Sequence, residues 1–158
     1  MYWKKPHISK VYEALTAIAD DRIVIDKDNP DKTKCYSSSG NKYYTVTYDP
    51  ESEAIMSNDN SAFYTDSLSY PMIAFFMLKG MVGYPKDLPD KLKGIHWKDI
   101  NQKHKNNYDH SIKAVLVILE GRGVNVKEVK DQIKEIYEDV IAKDYKMLGK
   151  KQRPPKGY

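Results

Sequence analysis

Three strand-length segments separated by two turn signals occupy residues 33–58. They read TKCYSS, KYYTVTYD and EAIMSN, and the separators are Ser39-Gly40-Asn41 and the DPES turn at 49–52. Short β-prone runs joined by tight turns pair antiparallel, and Gly40-Asn41 can supply the positive φ angles that a hairpin requires. The sequence therefore predicts a three-stranded antiparallel β-meander.

Alternation along the middle segment predicts which side of this meander faces the core. Successive side chains of a strand point to opposite faces. One face then carries Tyr44, Val46 and Tyr48, and the other carries Tyr43, Thr45 and Thr47. We expect the first set to pack inward.

The segment PMIAFFMLKG predicts a helix that the rest of the fold encloses. Pro71 suits a first helical position, Gly80 suits a stop, and nearly every residue between them is apolar. A helix that is apolar on all sides is a buried helix. We expect the meander to cover it.

Shorter elements flank these two. Residues 8–19 carry apolar side chains three and four apart, which predicts an amphipathic helix, and RIVI at 22–25 predicts a short strand. Residues 57–70 are polar and predict an irregular loop. One short helix is expected within DLPDKLKG at 87–94.

The last third of the body predicts two long helices. Residues 98–119 grow steadily more apolar and end at Gly121-Arg122-Gly123. Asn125 followed by Glu128 resembles a capping box, and apolar residues mark one face from 126 to 140. The two helices form an αα-hairpin.

These elements predict an α+β fold: a small antiparallel β-meander with a buried helix and a C-terminal αα-hairpin. A chain of 158 residues has the length of one ordinary domain, which we place at 1–149. Residues 150–158 predict a basic flexible tail, because prolines end the last helix. The net charge of +4 comes from the end of the chain, since the rest is nearly neutral.

Cys35 is the only cysteine, which excludes an internal disulfide and a multi-cysteine zinc or iron–sulfur site. The start of the chain lacks a signal-peptide pattern, and no apolar run approaches the roughly 20 residues of a membrane span. We expect a cytoplasmic protein with no cofactor, no bound metal and no membrane association.

The stretch SSSGNKYYTVTYDPESEAI and the later MIAFFML resemble parts of the SWIM zinc-finger family, within residues 35–79. The first is similar to that family's strands and turns, and the second to the helix after its ligating histidine. Where the family has Cys-x-Cys and Cys-x-His, this chain has Ser57 and Asp59, then Tyr70 and Met72. Serine, tyrosine and methionine are poor zinc ligands, so the resemblance implies a metal-free module that binds DNA or protein.

The histidines His7, His96, His104 and His110 are the imidazoles available for catalysis or metal binding. On one regular helix, His104 and His110 would point about 240° apart and could not share an ion. We interpret His96, near Asp99, as structural. The alternative to a non-enzyme is an enzyme assembled from dispersed residues, among them His96, His104 and carboxylates.

Other candidate motifs lack the required spacing. The loop with Asp59 and Asp66 does not match a calcium loop, and Cys35 has no nucleophile motif around it. The turn at 121–123 lacks the spacing of a phosphate-binding loop. We therefore predict no catalytic residue and no metal site.

The remaining candidate surface consists of tyrosines beside lysines. Many proteins bind single-stranded nucleic acid on a sheet, where the bases stack on exposed aromatic rings and nearby cations contact the phosphates. The predicted binding residues are Tyr43, Tyr44, Lys34 and Lys42 on the meander, with Lys150, Lys151 and Arg153 in the tail. We expect a non-enzymatic interaction module. Its expected partner is a protein or a second copy of the chain, with nucleic acid as the alternative.

Overall fold

The structure, a computed structural model, describes residues 1–156, so the last two residues of the predicted tail at 150–158 lie outside it. Within this range the chain forms a five-stranded sheet and seven helices, which is the predicted α+β class. The strands are β1 (Ile23–Ile25), β2 (Lys32–Tyr36), β3 (Tyr43–Asp49), β4 (Ala54–Ser57) and β5 (Lys146–Met147). The helices are α1 (Ser9–Ala19), α2 (Asn60–Thr65), α3 (Tyr70–Leu78), α4 (Leu88–Lys91), α5 (Trp97–Lys103), α6 (Tyr108–Gly121) and α7 (Val126–Ile141).

The first four strands form one antiparallel meander, in the order of the chain. The three predicted strands are present, and the RIVI strand joins them as β1 beside β2. β5 then pairs parallel with β4, where Lys146 lies opposite Ala54. The C-terminal region therefore supplies one edge of the sheet.

The predicted inward face of β3 is confirmed. Tyr44, Val46 and Tyr48 are buried, whereas Tyr43 is exposed. The Tyr48 ring lies 5.7 Å from Phe75 and 5.8 Å from Phe76, centroid to centroid. These contacts place α3, which is buried from residue 71 to residue 77, against the sheet as predicted.

Helix α1 is more deeply enclosed than an amphipathic pattern implies. It packs against α3, α4, α6 and α7, and residues 9–17 are all buried. Its polar side, with Lys10 and Glu13, therefore faces the interior as well as its apolar side. This polar side forms part of the site described below.

The single helix predicted over 98–119 is wrong, because the chain forms α5 and α6 instead. Lys105 and Asn106 adopt left-handed backbone angles, with φ of 52° and 60°, which no α-helix contains. The Asn107 side chain then accepts a hydrogen bond from the His110 N–H and opens α6. Asparagine competes for backbone partners in this way, and the competition ends one helix and starts another.

The region 57–70 also differs from the predicted irregular loop, since it contains α2. The Asp59 carboxylate accepts the Ala62 N–H at 2.9 Å and caps this short helix. The predicted αα-hairpin is present as α6 and α7, and Asn125 accepts the Glu128 N–H at 3.1 Å. None of the helices within residues 1–156 is both long and apolar enough to cross a bilayer.

Candidate functional site

A cavity of about 410 Å³ lies between α1, the β2–β3 hairpin, helix α5 and the N-terminal ends of α2, α3 and α6. We call it the Lys10 cavity. Its buried floor consists of Lys10, Glu13, Ser37, Tyr44, Asp59, Trp97 and Asn101. Its exposed rim includes Lys98, Gln102 and Asn106. A volume of this size falls within the range of small-molecule pockets.

An ion pair from one face of α1 forms one wall of this cavity. The Lys10 ammonium lies 2.8 Å from the Glu13 carboxylate, and the two side chains are only 11% and 9% exposed. The ammonium also lies 4.2 Å from the centre of the Tyr108 ring. Burial acts to lower the pKa of Lys10, but the carboxylate and Tyr108 outweigh it and raise the pKa overall. Lys10 therefore remains a cation at neutral pH.

Arg22, which precedes β1, supplies a second cation. Its Nη1 donates to the Tyr36 carbonyl at 3.0 Å and to the Tyr70 hydroxyl at 3.4 Å. Its Nε is buried and has no hydrogen-bond partner among the described residues. Burial raises the pKa of Tyr70 well above its ordinary value, so the phenol stays protonated.

Cys35 lies close to this cluster, and its thiol keeps its proton at neutral pH. The thiol is completely buried, and burial raises its pKa to about 12. Only the thiolate attacks electrophiles or binds metals well. The structure therefore agrees with a packed cysteine on β2.

Asp59 joins three elements at the cavity floor. Its carboxylate accepts the hydroxyls of Ser57 and Ser69, each at 2.5 Å, as well as the Ala62 N–H. Ser57 ends β4 and Ser69 precedes α3. A buried carboxylate with these donors is well satisfied, so it stabilises the corner where β4, α2 and α3 meet.

Two side chains of α5 complete the floor. The Trp97 indole N–H donates to the Thr16 hydroxyl at 2.9 Å, which orients the ring against α1. Asn101 is 8% exposed, and its Oδ1 has no hydrogen-bond partner among the described residues. A buried acceptor of this kind has a free energy cost unless a ligand or solvent satisfies it.

The sequence-predicted binding residues separate into two places. Tyr44 lines the Lys10 cavity, whereas Tyr43 is 43% exposed on the outer face of the sheet. There the Lys34 ammonium lies 4.6 Å from the centre of the Tyr43 ring, and Tyr36 lies 5.7 Å from it, centroid to centroid. Strand alternation alone accounts for the separation of Tyr43 from Tyr44.

The described part of the tail returns to the body at two places, the β2–β3 hairpin and helix α2. Lys42 donates to the Lys156 carbonyl. Lys151 contacts the Asp66 carboxylate at 2.5 Å, and the Arg153 guanidinium lies 5.5 Å from the centre of the Phe63 ring. We call the set formed by Lys34, Tyr36, Lys42 and Tyr43 with Lys150, Lys151 and Arg153 the Tyr43 surface.

The histidines do not line the Lys10 cavity. His96 is exposed, and the break between α5 and α6 brings the rings of His104 and His110 to 6.1 Å, centroid to centroid. The expectation that these two point away from each other is therefore wrong, because they do not share a helix. Over residues 1–156, no group of three or more histidine, cysteine or acidic side chains is arranged to hold a metal ion.

Sequence reasoning missed most of the Lys10 cavity. Lys10 and Glu13 stand three apart on a helix, the spacing of an ion pair, but this spacing is also common on exposed helices. Tyr70 was considered only as a position in the SWIM resemblance, and Asp59 only there and in the loop that does not match a calcium loop. Arg22 and Asn101 had no local signal, because the fold brings them together from distant parts of the chain.

Comparison with known proteins gives one family. The model of the family described as "Uncharacterised conserved protein UCP014422" matches residues 3–146. The chain belongs to this family. No curated protein and no solved structure matches the chain.

The UCP014422 match covers every residue named here in the Lys10 cavity and ends before Lys150. The matched region therefore includes the residues of the cavity and the residues of the Tyr43 surface that lie on the sheet. The tail residues of that surface lie beyond the matched region.

Proposed function

We propose that this UCP014422 protein is a non-enzymatic interaction module that binds single-stranded nucleic acid through the Tyr43 surface. The observation that carries the proposal is the exposed Tyr43 ring with the Lys34 ammonium above it and the Tyr36 ring beside it. Aromatic rings next to cations accept stacked bases and the phosphates between them.

Charge complementarity supports an anionic partner. The Tyr43 surface contains five cations, and when the Asp66 carboxylate that pairs with Lys151 is subtracted, a net charge of +4 is left. The phosphate backbone attracts such a set without regard to base sequence. Binding should therefore tolerate changes of sequence and weaken with salt.

The expected protein partner has less support in the contacts. Self-association through the last helix requires an apolar face, but the apolar side chains of α7 are used in the core. These are Val129, Ile133, Ile136 and Val140. The outward side of α7 is charged, as in Lys127, Lys130 and Lys134. A protein partner is therefore an outcome of the test and not the proposal.

Kinship with SWIM modules is a second part of the proposal. Asp59, at the second position of the first ligand pair, accepts hydrogen bonds from Ser57, at the first position, and from Ser69, which directly precedes Tyr70. This network joins the same strand end and helix start that the metal would join. Hydrogen bonding would then stabilise the corner without an ion.

Binding fits the chemistry of the Lys10 cavity better than the alternative of an enzyme does. Lys10 is charged and Cys35 is protonated at neutral pH, so neither supplies a nucleophile. The histidines His96 and His104 lie outside the cavity lining. We therefore propose no reaction.

Fluorescence anisotropy with a labelled oligothymidine of about 15 nucleotides tests the proposal. We expect Tyr43→Ala to weaken binding about tenfold, because a stacked base contributes about 1 to 3 kcal/mol. Lys34→Ala and deletion of residues 150–158 should each weaken binding and reduce its salt dependence. The matched control is Lys130→Ala with Lys134→Ala, two exposed lysines of α7.

Two results would overturn the nucleic-acid proposal. One is the absence of binding at low salt, and the other is an equal loss of affinity in the α7 control. Light scattering provides the remaining comparison. A dimer that resists salt would favour a protein partner over a nucleic acid.

A further inference from the structure

The Lys10 cavity is a second site, distinct from the Tyr43 surface. It lies on the inner side of the sheet, whereas Tyr43 lies on the outer side. Tyr44 belongs to the cavity and Tyr43 to the outer face. The cavity also uses α1, α5 and α6, which the outer face does not. Its occupant must therefore be argued from its own chemistry.

The charges of the cavity favour a single negative charge in a ligand. The lining contains three cations, Lys10, Arg22 and Lys98, and two carboxylates, Glu13 and Asp59, so one positive charge is in excess. Within residues 1–156, Arg22 forms no ion pair with a carboxylate, and its buried Nε–H has no acceptor. A carboxylate or phosphate oxygen is the acceptor that suits a guanidinium best.

The hydrogen-bonding needs of the cavity also favour a donor in the same ligand. Asn101 is more than nine-tenths buried and lines the cavity, and no donor from the described part of the chain reaches its Oδ1. Buried polar atoms in native proteins nearly always have a partner. Arg22 therefore needs an acceptor and Asn101 needs a donor.

The walls favour a planar body between these two groups. Trp97, Tyr44, Tyr70 and Tyr108 all contribute to the lining, and aromatic walls select flat ligands. The volume of about 410 Å³ suits a molecule no larger than a nucleoside monophosphate. Amide side chains at the rim, Gln102 and Asn106, add further hydrogen-bonding groups.

We propose that the Lys10 cavity binds a small planar organic anion. In this site the Arg22 guanidinium donates to the carboxylate or phosphate of the ligand, and the Asn101 side-chain amide hydrogen-bonds to its planar body. The Lys10–Glu13 pair and the Asp59 network hold the floor rigid. The proposal does not depend on nucleic-acid binding by the Tyr43 surface.

The two tryptophans of the chain provide an internal control for the test. Trp97 lines the cavity, whereas Trp3 is buried elsewhere and donates to the Ile55 carbonyl at 3.0 Å. In protein labelled with nitrogen-15, each indole N–H gives its own NMR signal. We expect a ligand in the cavity to shift the Trp97 signal and the Asn101 amide signals, and to leave the Trp3 signal unchanged.

The probes come in matched pairs. Adenosine 5′-monophosphate and 4-aminobenzoate each combine a planar body, a donor and one anionic group, as phosphate or as carboxylate. Adenosine and 4-aminobenzamide lack that anionic group. We expect at least one anion to shift the Trp97 signal below about 10 mM, and its neutral counterpart to bind at least about tenfold more weakly. Which anion binds distinguishes a phosphate from a carboxylate ligand.

Variants locate the contact. Arg22→Gln and Asn101→Ala should each weaken the bound anion at least about tenfold, whereas Lys34→Ala, on the Tyr43 surface, should not change its affinity. If Arg22→Gln unfolds, the affinities of each anion and its neutral counterpart for the unchanged protein still show whether the cavity requires an anionic group. The proposal is overturned if neither anion shifts the Trp97 signal, or if the neutral counterparts bind equally well.

Discussion

Lys10 and Glu13 show how a local pattern acquires a different meaning inside a fold. On an exposed helix, a lysine and a glutamate three apart contribute a few tenths of a kcal/mol. Here both side chains are about nine-tenths buried, and removing one partner would leave a charge without compensation. The pair is therefore part of the buried cavity floor and is not a solvent-exposed ion pair of α1.

Raising the pH above 9 should destabilise the protein through its buried acids. Burial raises the pKa of Cys35 from 9.0 to about 12 and that of Tyr12 from 10.0 to about 12. Between these values the unfolded chain has lost protons that the folded chain keeps, so stability falls by about 1.4 kcal/mol per pH unit for each group. Urea unfolding between about pH 8 and about pH 11 measures this slope.

Cys35→Ala is the control for this effect. The variant should be somewhat less stable at neutral pH, because it leaves a small cavity in place of the buried thiol. The fall in its stability between pH 9 and pH 10 should nevertheless be smaller than in the unchanged protein, because the thiol no longer contributes while the buried tyrosines Tyr12 and Tyr70 still do. Equal slopes in the two proteins would contradict the assignment to Cys35.

At the scale of elements, the break between α5 and α6 decides how the cavity is lined. Asn101 lies on α5 and Tyr108 begins α6, and the left-handed residues Lys105 and Asn106 turn the chain between them. In one continuous helix, Asn101 and Tyr108 would be separated by seven residues along a single helix axis. The break instead lets both approach Lys10.

Asn107→Ala should destabilise the protein by about 1 kcal/mol, because the side chain caps α6 through the His110 N–H. Asn125→Ala, which removes the equivalent cap of α7, should cost a similar amount. Chemical denaturation measures both changes. Asn107→Ser keeps a capping oxygen and should restore most of the loss, and a serine variant as unstable as the alanine variant would exclude capping as the cause.

At the scale of the whole molecule, the two ends of the described chain stabilise each other. The Trp3 N–H donates to the Tyr145 carbonyl at 2.9 Å, and the Met147 N–H donates to the Met1 carbonyl at 2.9 Å. Lys4 bonds to the backbone of Asp66 and Leu68. The N-terminal residues thus connect β5 to the segment between α2 and α3.

Trp3→Ala should destabilise the whole protein by about 3 to 5 kcal/mol, because the buried ring and its bond to the Ile55 carbonyl are both lost. Since the ring joins both ends to the sheet, far-ultraviolet circular dichroism and Trp97 fluorescence should report one shared transition. Thr45→Ala, on the half-buried outer face of β3, is the comparison and should cost clearly less. Two separated transitions would contradict a single cooperative unit.

The sequence by itself determined the α+β class, the meander, the inward face of β3 and the buried helix α3. Each of these follows from period, turn chemistry or apolar content within a few neighbouring residues. The sequence did not predict the break at 105–107. The increase in apolar residues along 98–119 fits one long helix, and it fits equally well two helices of which the second is the more apolar. Left-handed backbone at Lys105 and Asn106 has no strong sequence signature.

Only the tertiary structure decided the Lys10 cavity. Lys10, Arg22, Asp59 and Asn101 belong to separate segments, and no local rule relates their positions. Their side chains meet because α1 packs across the helices and its polar side is turned inward against the hairpin end of the sheet. Periodicity reports which residues share a face of one element, whereas the packing of elements decides which faces enclose a site.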